Sequence, residues 1–217
     1  MNARCILLLG GSFDPVHNGH LALAHFCSVL CQPDQLRLIP AGRPWQKPEL
    51  ATPAHHRVAM LKLAFADFHL PVEIDEQEIQ RDGPSYTITT LRNIRAECGN
   101  SVSLIFTIGA DQLHNLPTWR DWQQLFDYVH LCVVSRPGFS LESTQLSSAV
   151  ASEIARRHAN AEQIRSTPHG LIIIADNFLM DVSATSIRQS LHQRSDAAGW
   201  MPAAVLDYIH QQHLYEH

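Results

Sequence analysis

A glycine-rich stretch near the amino terminus constrains the fold more than any other segment. Residues 5–9 form a short apolar run that ends in Gly10 and Gly11, as is typical of a central parallel strand covered on both faces. The two glycines are expected to free the backbone for a sharp turn and for close approach to a ligand. Apolar residues then recur at helical spacing over 23–30, so a helix is predicted to begin near Gly19.

The order strand, glycine loop, helix makes this stretch a candidate anion site. In α/β sheets the strand end faces the unpaired amides and the positive dipole end of the next helix, where phosphates bind. His17 and His20 lie at this predicted helix start. A plain turn with surface histidines and a metal site are the alternatives, since the chain holds 14 histidines and His25 lies nearby. A metal would need a third ligand, and a plain turn would not need the glycine pair, so a nucleotide phosphate is favoured.

Composition limits the remaining classes. The chain has 217 residues, of which 45% are hydrophobic and 17% charged, which suits one globular α/β domain. Its net charge is −5 and its 16 basic residues form no run, so no nucleic-acid partner is expected. Five cysteines without a Cys-x-x-Cys pair suit a reducing cytoplasm. No apolar segment reaches membrane-spanning length, so no membrane association is expected.

Strand and helix patterns alternate along the chain. Further strands are predicted at 35–39, 72–75, 102–108, 129–135 and 171–175. Pro53 and Pro202 are predicted to open helices, and Gly99 to end one. The alternation predicts a doubly wound parallel sheet with helices on both faces and with the loops after the strands gathered at one edge.

The segment His17-Asn18-Gly19-His20 resembles the (His/Thr)-x-Gly-His signature of the nucleotidyltransferase superfamily. The chain has neither a Walker Gly-x4-Gly-Lys pattern nor a Gly-x-Gly-x-x-Gly pattern, which removes the main support for kinases and dinucleotide-dependent dehydrogenases. The resemblance implies a Rossmann-like nucleotidyltransferase fold. It implies one domain over 1–217, with a C-terminal helical part from about 183 to 217 packed on it.

Over nearly its whole length the chain is similar to bacterial nicotinate-nucleotide adenylyltransferases. The matching segments are Ile39-Pro40 with Lys47, residues 81–87, Gly109-Ala110-Asp111, Trp119, Arg136-Pro137-Gly138 and residues 182–188. The chain departs from the family where Trp45-Gln46 precedes Lys47 in place of Pro-His, and where Ala184 replaces a serine. The phosphopantetheine adenylyltransferases share the first motif but should lack the Ser-Tyr-Thr and Trp119 elements.

This resemblance implies adenylyl transfer from ATP to nicotinate mononucleotide, giving nicotinate adenine dinucleotide and pyrophosphate in NAD biosynthesis. ATP and the mononucleotide are the expected partners, and a homo-oligomer is left open. Mg²⁺ is the expected cofactor, bound mainly through the ATP phosphates and not by a set of protein ligands. Two alternatives are kept: a related adenylyltransferase for nicotinamide mononucleotide or phosphopantetheine, and a non-catalytic nucleotide-sensing protein.

The same resemblance assigns the site residues. His17 and His20 are the expected catalytic residues, and a helix amino terminus disfavours imidazolium, so His20 is expected to act as a neutral hydrogen-bond donor. The residues expected to bind ATP are Gly10, Gly11, Ser12, Phe13, His17, His20, Gly109, Asp111, Arg136, Ser183, Thr185 and Arg188. The residues expected to bind the mononucleotide are Lys47, Ser85, Tyr86, Thr87 and Trp119.

Several of these residues also have a structural interpretation when taken singly. Ser85 could be a helix N-cap, Trp119 beside Trp122 could pack a helix, and Arg188 could be a solvated charge. Asp111 follows a strand-ending glycine, at the position where such sheets bind a ribose hydroxyl. The nicotinate carboxylate is expected against the backbone amides near Tyr86 and Thr87, with Trp119 stacked on the pyridine ring.

Overall fold

Six strands and eight α-helices make up the described part of the chain. The computed structural model describes residues 4–43, 50–135, 146–175, 178, 182–193, 195 and 197–216. The strands are β1 (Cys5–Gly11), β2 (Gln35–Pro40), β3 (Val72–Ile74), β4 (Ser103–Gly109), β5 (His130–Val134) and β6 (Ile172–Ala175). The helices are α1 (Asn18–Cys31), α2 (Ala54–Ala64), α3 (Thr87–Cys98), α4 (Ala110–His114), α5 (Ser148–Arg157), α6 (Ala161–Ser166), α7 (Ala184–His192) and α8 (Ala203–Gln211). Two 3₁₀ helices, Leu116–Thr118 and Trp122–Asp127, follow α4.

The strands form one parallel sheet in the order β3-β2-β1-β4-β5-β6. The chain moves outward from β1 to β3, then crosses back and continues from β4 to β6, so the strand order reverses between β1 and β4. In register, Leu8 of β1 lies opposite Phe106 of β4. The two strands end at Gly11 and Gly109, on either side of the crevice where doubly wound sheets bind ligands. The predicted Rossmann-like parallel sheet is confirmed.

Apolar side chains cover both faces of the sheet. Cys5, Leu7 and Leu9 of β1 enter a core cluster shared with α1, α2, α7 and α8. Ile6 and Leu8 enter a second cluster shared with α3, α5 and the 3₁₀ helices. Successive strand residues point to opposite faces, so this division requires helices on both sides, as predicted.

The sequence patterns missed the shortest helices. Helix α6 has six residues and buries only Ile164, and Asn160 caps it through a hydrogen bond from the Gln163 N–H group to the Asn160 side chain. Such a helix shows no apolar periodicity. Helix α4 has five residues and gives no pattern either. Within the described ranges, none of the helices combines the length and the apolar character that a membrane crossing requires.

The residues after 183 contact the amino-terminal elements. The Asn18 N–H group donates to the Trp200 carbonyl over 2.8 Å. The His56 Nδ1 atom of α2 lies 2.9 Å from the Tyr208 hydroxyl of α8. These contacts join the C-terminal helices to α1 and α2, while the single-domain organisation of 1–217 stays a prediction.

Arg95 fixes the C-terminal end of α3 against the sheet. Its buried guanidinium donates to the backbone carbonyls of Gly99, Val102, Tyr128 and Pro168 over 2.7–3.0 Å. The last three carbonyls lie just before β4, β5 and β6, so one side chain ties α3 to three strands. A planar guanidinium with five N–H donors can satisfy four acceptors at once, and an ammonium group cannot reproduce this geometry.

We therefore expect Arg95→Lys to lower the free energy of unfolding by about 2–4 kcal/mol, because several buried carbonyls lose their donors. Arg92→Lys is the matched control: Arg92 lies on the same helix but is exposed, and its side chain donates to the Tyr128 hydroxyl and lies over the Tyr128 ring. That variant should lose less than about 1 kcal/mol. Urea unfolding of the three proteins measures both values, and equal losses would contradict the anchoring role.

Candidate active site

The loop after β1 makes its turn at Phe13. Phe13 has a left-handed backbone (φ 49°) and a side chain that is 1% exposed. Gly10 and Gly11 remain inside β1, so the prediction that they form the turn is wrong. Their lack of a side chain provides space: a Cβ at Gly11 would lie 3.0 Å from the Phe13 ring. A bulky residue in this conformation is strained and persists only where its surroundings hold it.

Side chains from distant segments hold this turn on both sides of Phe13. The Arg57 Nη1 atom donates to the Ser12 carbonyl over 2.8 Å. The Arg188 Nη1 atom donates to the Asp14 carbonyl over 2.7 Å. The Asp14 carboxylate, 3% exposed, accepts the Ala51 N–H group over 2.7 Å. The conformation of the loop is therefore set by contacts from α2, α7 and the segment before α2.

The two histidines stack at the start of α1. His17 is the N-cap residue and is 3% exposed, and the His17 and His20 ring centroids lie 3.8 Å apart. The His17 N–H group donates to His20 Nδ1 over 3.2 Å. This hydrogen bond assigns the proton of a neutral His20 ring to Nε2. The Phe13 ring contacts the His20 ring in a T-shaped arrangement, with centroids 4.9 Å apart. The geometry makes Nε2 the donor atom of a neutral His20 ring, and the catalytic role of His20 stays a prediction.

Two cavities meet at the carboxyl ends of β1 and β4. One has a volume of about 460 Å³ and the other about 120 Å³. Both are lined by Gly10, Gly11, Ser12, Thr107 and Gln112, which form a shared wall. Ligands bound in the two cavities would therefore both contact these five residues, at the same place in the crevice.

The larger cavity brings together most of the residues expected to bind ATP. Besides the shared wall, the predicted residues on its surface are Phe13, His20, Gly109, Asp111, Thr185 and Arg188. Gly109 donates its N–H to Gln112 Oε1 over 3.0 Å, and a Cβ at Gly109 would lie 2.3 Å from Asp111 Oδ1. A larger residue at this strand end would therefore displace the Asp111 carboxylate.

Ser183 and His17 lie apart from the described walls of both cavities. Ser183 is the N-cap of α7, and its hydroxyl accepts the Ser186 N–H group over 3.1 Å. His17 contacts His20 instead of the cavity surface. Direct contacts of these two side chains with a nucleotide stay predictions. Lys47 and Arg136, together with Trp45-Gln46, lie outside the described residues.

The smaller cavity contains Ser85, Thr87 and Trp119 on its wall. The Ser85 hydroxyl accepts the Arg43 N–H group over 3.3 Å, whereas Tyr86 is the N-cap of α3, so the interpretation of Ser85 as an N-cap is wrong. The Tyr86 ring lies 4.9 Å from the Arg120 guanidinium carbon.

Trp119 packs in the core, and its indole N–H group has no acceptor among the described residues. It follows the first 3₁₀ helix and packs with Trp122 against the second core cluster, as the structural interpretation expected. Its indole N–H is buried, however, and has no hydrogen-bond partner among the described residues. A buried donor without an acceptor is costly, so a ligand that supplies an acceptor would be favoured beside it.

Sequence reasoning missed Glu78 on the wall of the smaller cavity. Its carboxylate accepts the Thr90 hydroxyl over 2.8 Å, and burial raises the pKa of Glu78 above its ordinary value. A single glutamate in a loop gives no sequence signal. It becomes visible only when the loop before α3 is packed against the sheet edge. Among the described residues, no group of three or more His, Cys, Asp or Glu side chains is arranged to hold a metal ion.

Comparison with known proteins agrees with this geometry. The cytidylyltransferase-like family model matches residues 8–190, so the chain is a nucleotidyltransferase. A nicotinate-nucleotide adenylyltransferase of Herminiimonas arsenicoxydans is 51% identical over 98% of this chain and 97% of its own length. One from Klebsiella pneumoniae is 39% identical over 96% and 95%. The chain belongs to the nicotinate-nucleotide adenylyltransferase family.

Solved structures show the same fold. The nicotinic acid mononucleotide adenylyltransferase of Plasmodium falciparum, in its complex with NaAD, superimposes with a TM-score of 0.73 at 16% identity and covers 98% of both chains. The same enzyme complexed with APC superimposes with a TM-score of 0.68 at 15% identity and also covers 98% of both chains.

We expect Arg188→Ala to weaken ATP binding about tenfold or more, because the guanidinium lines the larger cavity and also holds the Asp14 carbonyl. Arg188→Lys should restore only part of the affinity, since an ammonium lacks the planar fork. Arg156→Ala is the control, because Arg156 is exposed on α5 and pairs with Glu153 of the same helix. Calorimetric titration with ATP compares the three variants with the wild type, and unchanged binding by Arg188→Ala would leave Arg188 with no role beyond holding the Asp14 carbonyl.

Proposed function

We propose that this chain transfers the adenylyl group of ATP to nicotinate mononucleotide, giving nicotinate adenine dinucleotide and pyrophosphate. The observation that carries the proposal is the pair of cavities with one shared glycine wall. The larger accommodates ATP and the smaller accommodates the pyridine nucleotide. The 51% identity to a named family member over nearly the full length supports the same reaction.

The chemistry follows from the two substrates. The phosphate of the mononucleotide is already an anionic nucleophile, and its oxygen attacks the α-phosphorus of ATP in line. A bond forms between the acceptor oxygen and the α-phosphorus. The bond from the α-phosphorus to the oxygen that bridges it to the β-phosphorus breaks, and pyrophosphate leaves. The enzyme needs no covalent intermediate, so its contribution is to position the reactants and to stabilise charge on the oxygens around phosphorus.

His20 supplies a fixed donor for that charge. The His17 N–H group donates to Nδ1, which makes Nε2–H the donor of a neutral His20 ring, and His20 lies on the wall of the larger cavity, where this group would donate to an ATP phosphate oxygen. This donor gains strength as negative charge moves onto the departing pyrophosphate. Phe13 and His17 pack the ring on two sides and limit its rotation.

A divalent cation such as Mg²⁺ would neutralise charge on the triphosphate. The described wall of the larger cavity contains two carboxylates, Asp14 and Asp111. Both oxygens of Asp14 already accept hydrogen bonds, so the residues fit a cation bound chiefly through phosphate oxygens and water. Asp111 remains as the expected partner of a ribose hydroxyl.

The start of α3 favours a carboxylate over an amide. The first N–H groups of a helix have no partners inside the helix, and the dipole is positive there. Thr87 begins α3 and lies on the wall of the smaller cavity, as does Trp119, which offers a ring for stacking. Glu78 shares this cavity, and burial raises its pKa above the ordinary value.

The remaining expectations belong to this proposal. The chain would act as one nucleotidyltransferase domain over 1–217, with the part from about 183 to 217 packed on it. It would work in the cytoplasm without a nucleic-acid or membrane partner, and all five thiols are free, which suits that compartment. The homo-oligomer stays open.

With ATP and Mg²⁺, we expect nicotinate mononucleotide to be used at least 10²-fold better than nicotinamide mononucleotide, because the amide loses a charge-assisted contact and places N–H donors against backbone N–H groups. Phosphopantetheine should give no turnover. Steady-state pyrophosphate release with each acceptor measures the preference. Equal use of acid and amide would contradict the carboxylate site at α3, and turnover with none of the three would favour a nucleotide-sensing protein.

Trp119→Ala should slow both pyridine nucleotides while leaving most of the acid preference, because the stacking surface is common to both. Trp122→Ala is the matched control, since Trp122 packs in the same cluster but is not part of the described walls of either cavity. The same assay compares them. If Trp122→Ala slows turnover as much as Trp119→Ala does, Trp119 acts through packing alone.

His20→Ala should lower kcat by about 10²–10³ while ATP affinity changes far less, because its hydrogen bond strengthens as charge develops. His25→Ala is the control, since His25 lies exposed on the same helix. Single-turnover rates and calorimetric ATP titrations separate the two effects. Near-normal kcat in a folded His20→Ala protein would remove His20 from the mechanism.

A further inference from the structure

The last residues of the chain return to the loop after β1. Helix α8 ends at Gln211, and His213 (φ 52°) and Tyr215 (φ 64°) then take left-handed conformations. The Tyr215 hydroxyl donates to Asp14 Oδ1 over 2.6 Å, across 201 positions of sequence. The segment after α8, residues 212–216, is called the tail, and it contacts the turn that separates β1 from α1.

This contact completes the set of hydrogen bonds around Asp14. The Ala51 N–H group occupies Oδ2 and the Arg188 guanidinium occupies the backbone carbonyl, each over 2.7 Å. Asp14 is almost fully buried, so its carboxylate depends on these donors in place of water. Burial and the adjacent Asp14 carboxylate raise the pKa of Tyr215 well above its ordinary value, so the phenol keeps its proton and donates at neutral pH.

The position of Asp14 determines which substrate's binding would depend on the contact with Tyr215. Asp14 lies on the wall of the larger cavity, next to Phe13, whose ring contacts His20. It is absent from the described wall of the smaller cavity. Arg188 also lines the larger cavity and holds the Asp14 carbonyl. A change at Asp14 should therefore reach ATP and leave the pyridine nucleotide in place.

We propose that Tyr215 is a positioning residue for ATP: its hydroxyl fixes the Asp14 carboxylate and thereby the Phe13 turn in the larger cavity. The inference rests on the proposed function for its kinetic consequences. Its structural basis is the Tyr215 hydroxyl, which adds a hydrogen bond to a strained loop already held by Arg57, Arg188 and Ala51. Tyr215 acts through Asp14 and touches no reacting atom.

The test compares Tyr215→Phe with Tyr208→Phe in the full chain. Each substitution removes one phenolic hydroxyl from the C-terminal part, but the Tyr208 hydroxyl pairs with His56, away from the described walls of both cavities. For Tyr215→Phe we expect the KM for ATP and the calorimetric Kd for ATP to rise about tenfold, because a buried carboxylate loses one donor. The KM for nicotinate mononucleotide should stay within about twofold, and Tyr208→Phe should leave both KM values within about twofold.

A merely structural role would give a different result. Loss of folded protein lowers the apparent kcat but moves neither KM. Unchanged ATP affinity in Tyr215→Phe would overturn the proposal, as would equal rises of both KM values or the same rise in Tyr208→Phe. If the wild type shows no turnover, the proposed function fails, whereas the calorimetric ATP titration still decides the role of Tyr215.

A double-mutant cycle with Asp14→Asn supplies the second test. If Tyr215 acts through Asp14, the two substitutions share one effect, and the double variant should bind ATP about as weakly as the weaker single variant. Losses of affinity that multiply in the double variant would show that the residues act independently and would overturn the proposal. Thermal unfolding of each variant identifies the folded fraction used in the titrations.

Discussion

The reversal of strand order between β1 and β4 is the constraint on which the rest of the molecule depends. Parallel strands end at the same edge, and the helices that follow β1 and β4 leave in different directions, so a crevice opens between Gly11 and Gly109. Both cavities lie at this crevice. The glycines at the strand ends leave space for the Phe13 ring and the Asp111 carboxylate, which both lie on the wall of the larger cavity.

The crevice becomes a specific site through the turn at Phe13. A left-handed bulky residue is unfavourable by itself, so the surrounding contacts must hold it. Arg57 and Arg188 hold the carbonyls on either side, and the Asp14 carboxylate is held in turn. Because the Phe13 ring contacts His20, the contacts that hold the loop also orient the donor at the start of α1. The hydrogen bonds that stabilise the loop therefore also fix the surroundings of the His20 ring.

The sequence predicts the fold correctly where neighbouring residues carry the pattern. The β1–α1 unit, the parallel sheet and the helices opened by Pro53 and Pro202 follow from apolar periodicity and from residues that begin or end elements. The turn was assigned to Gly10 and Gly11 because glycine is the usual residue for such a conformation, whereas tertiary contacts place it at Phe13. Tyr215 and Asp14 are 201 positions apart, and Glu78 is a lone loop carboxylate, so neither gives a pattern before the chain folds.

The central claim is that the acceptor phosphate meets the α-phosphorus of ATP directly at the shared wall of the two cavities. The stereochemical course at that phosphorus tests this claim. With ATP made chiral at the α-phosphorus by sulfur substitution, a single in-line displacement by the mononucleotide inverts the configuration in the dinucleotide product. Our account predicts inversion. Retention would require two displacements through an adenylylated enzyme group and would contradict direct transfer between the two cavities.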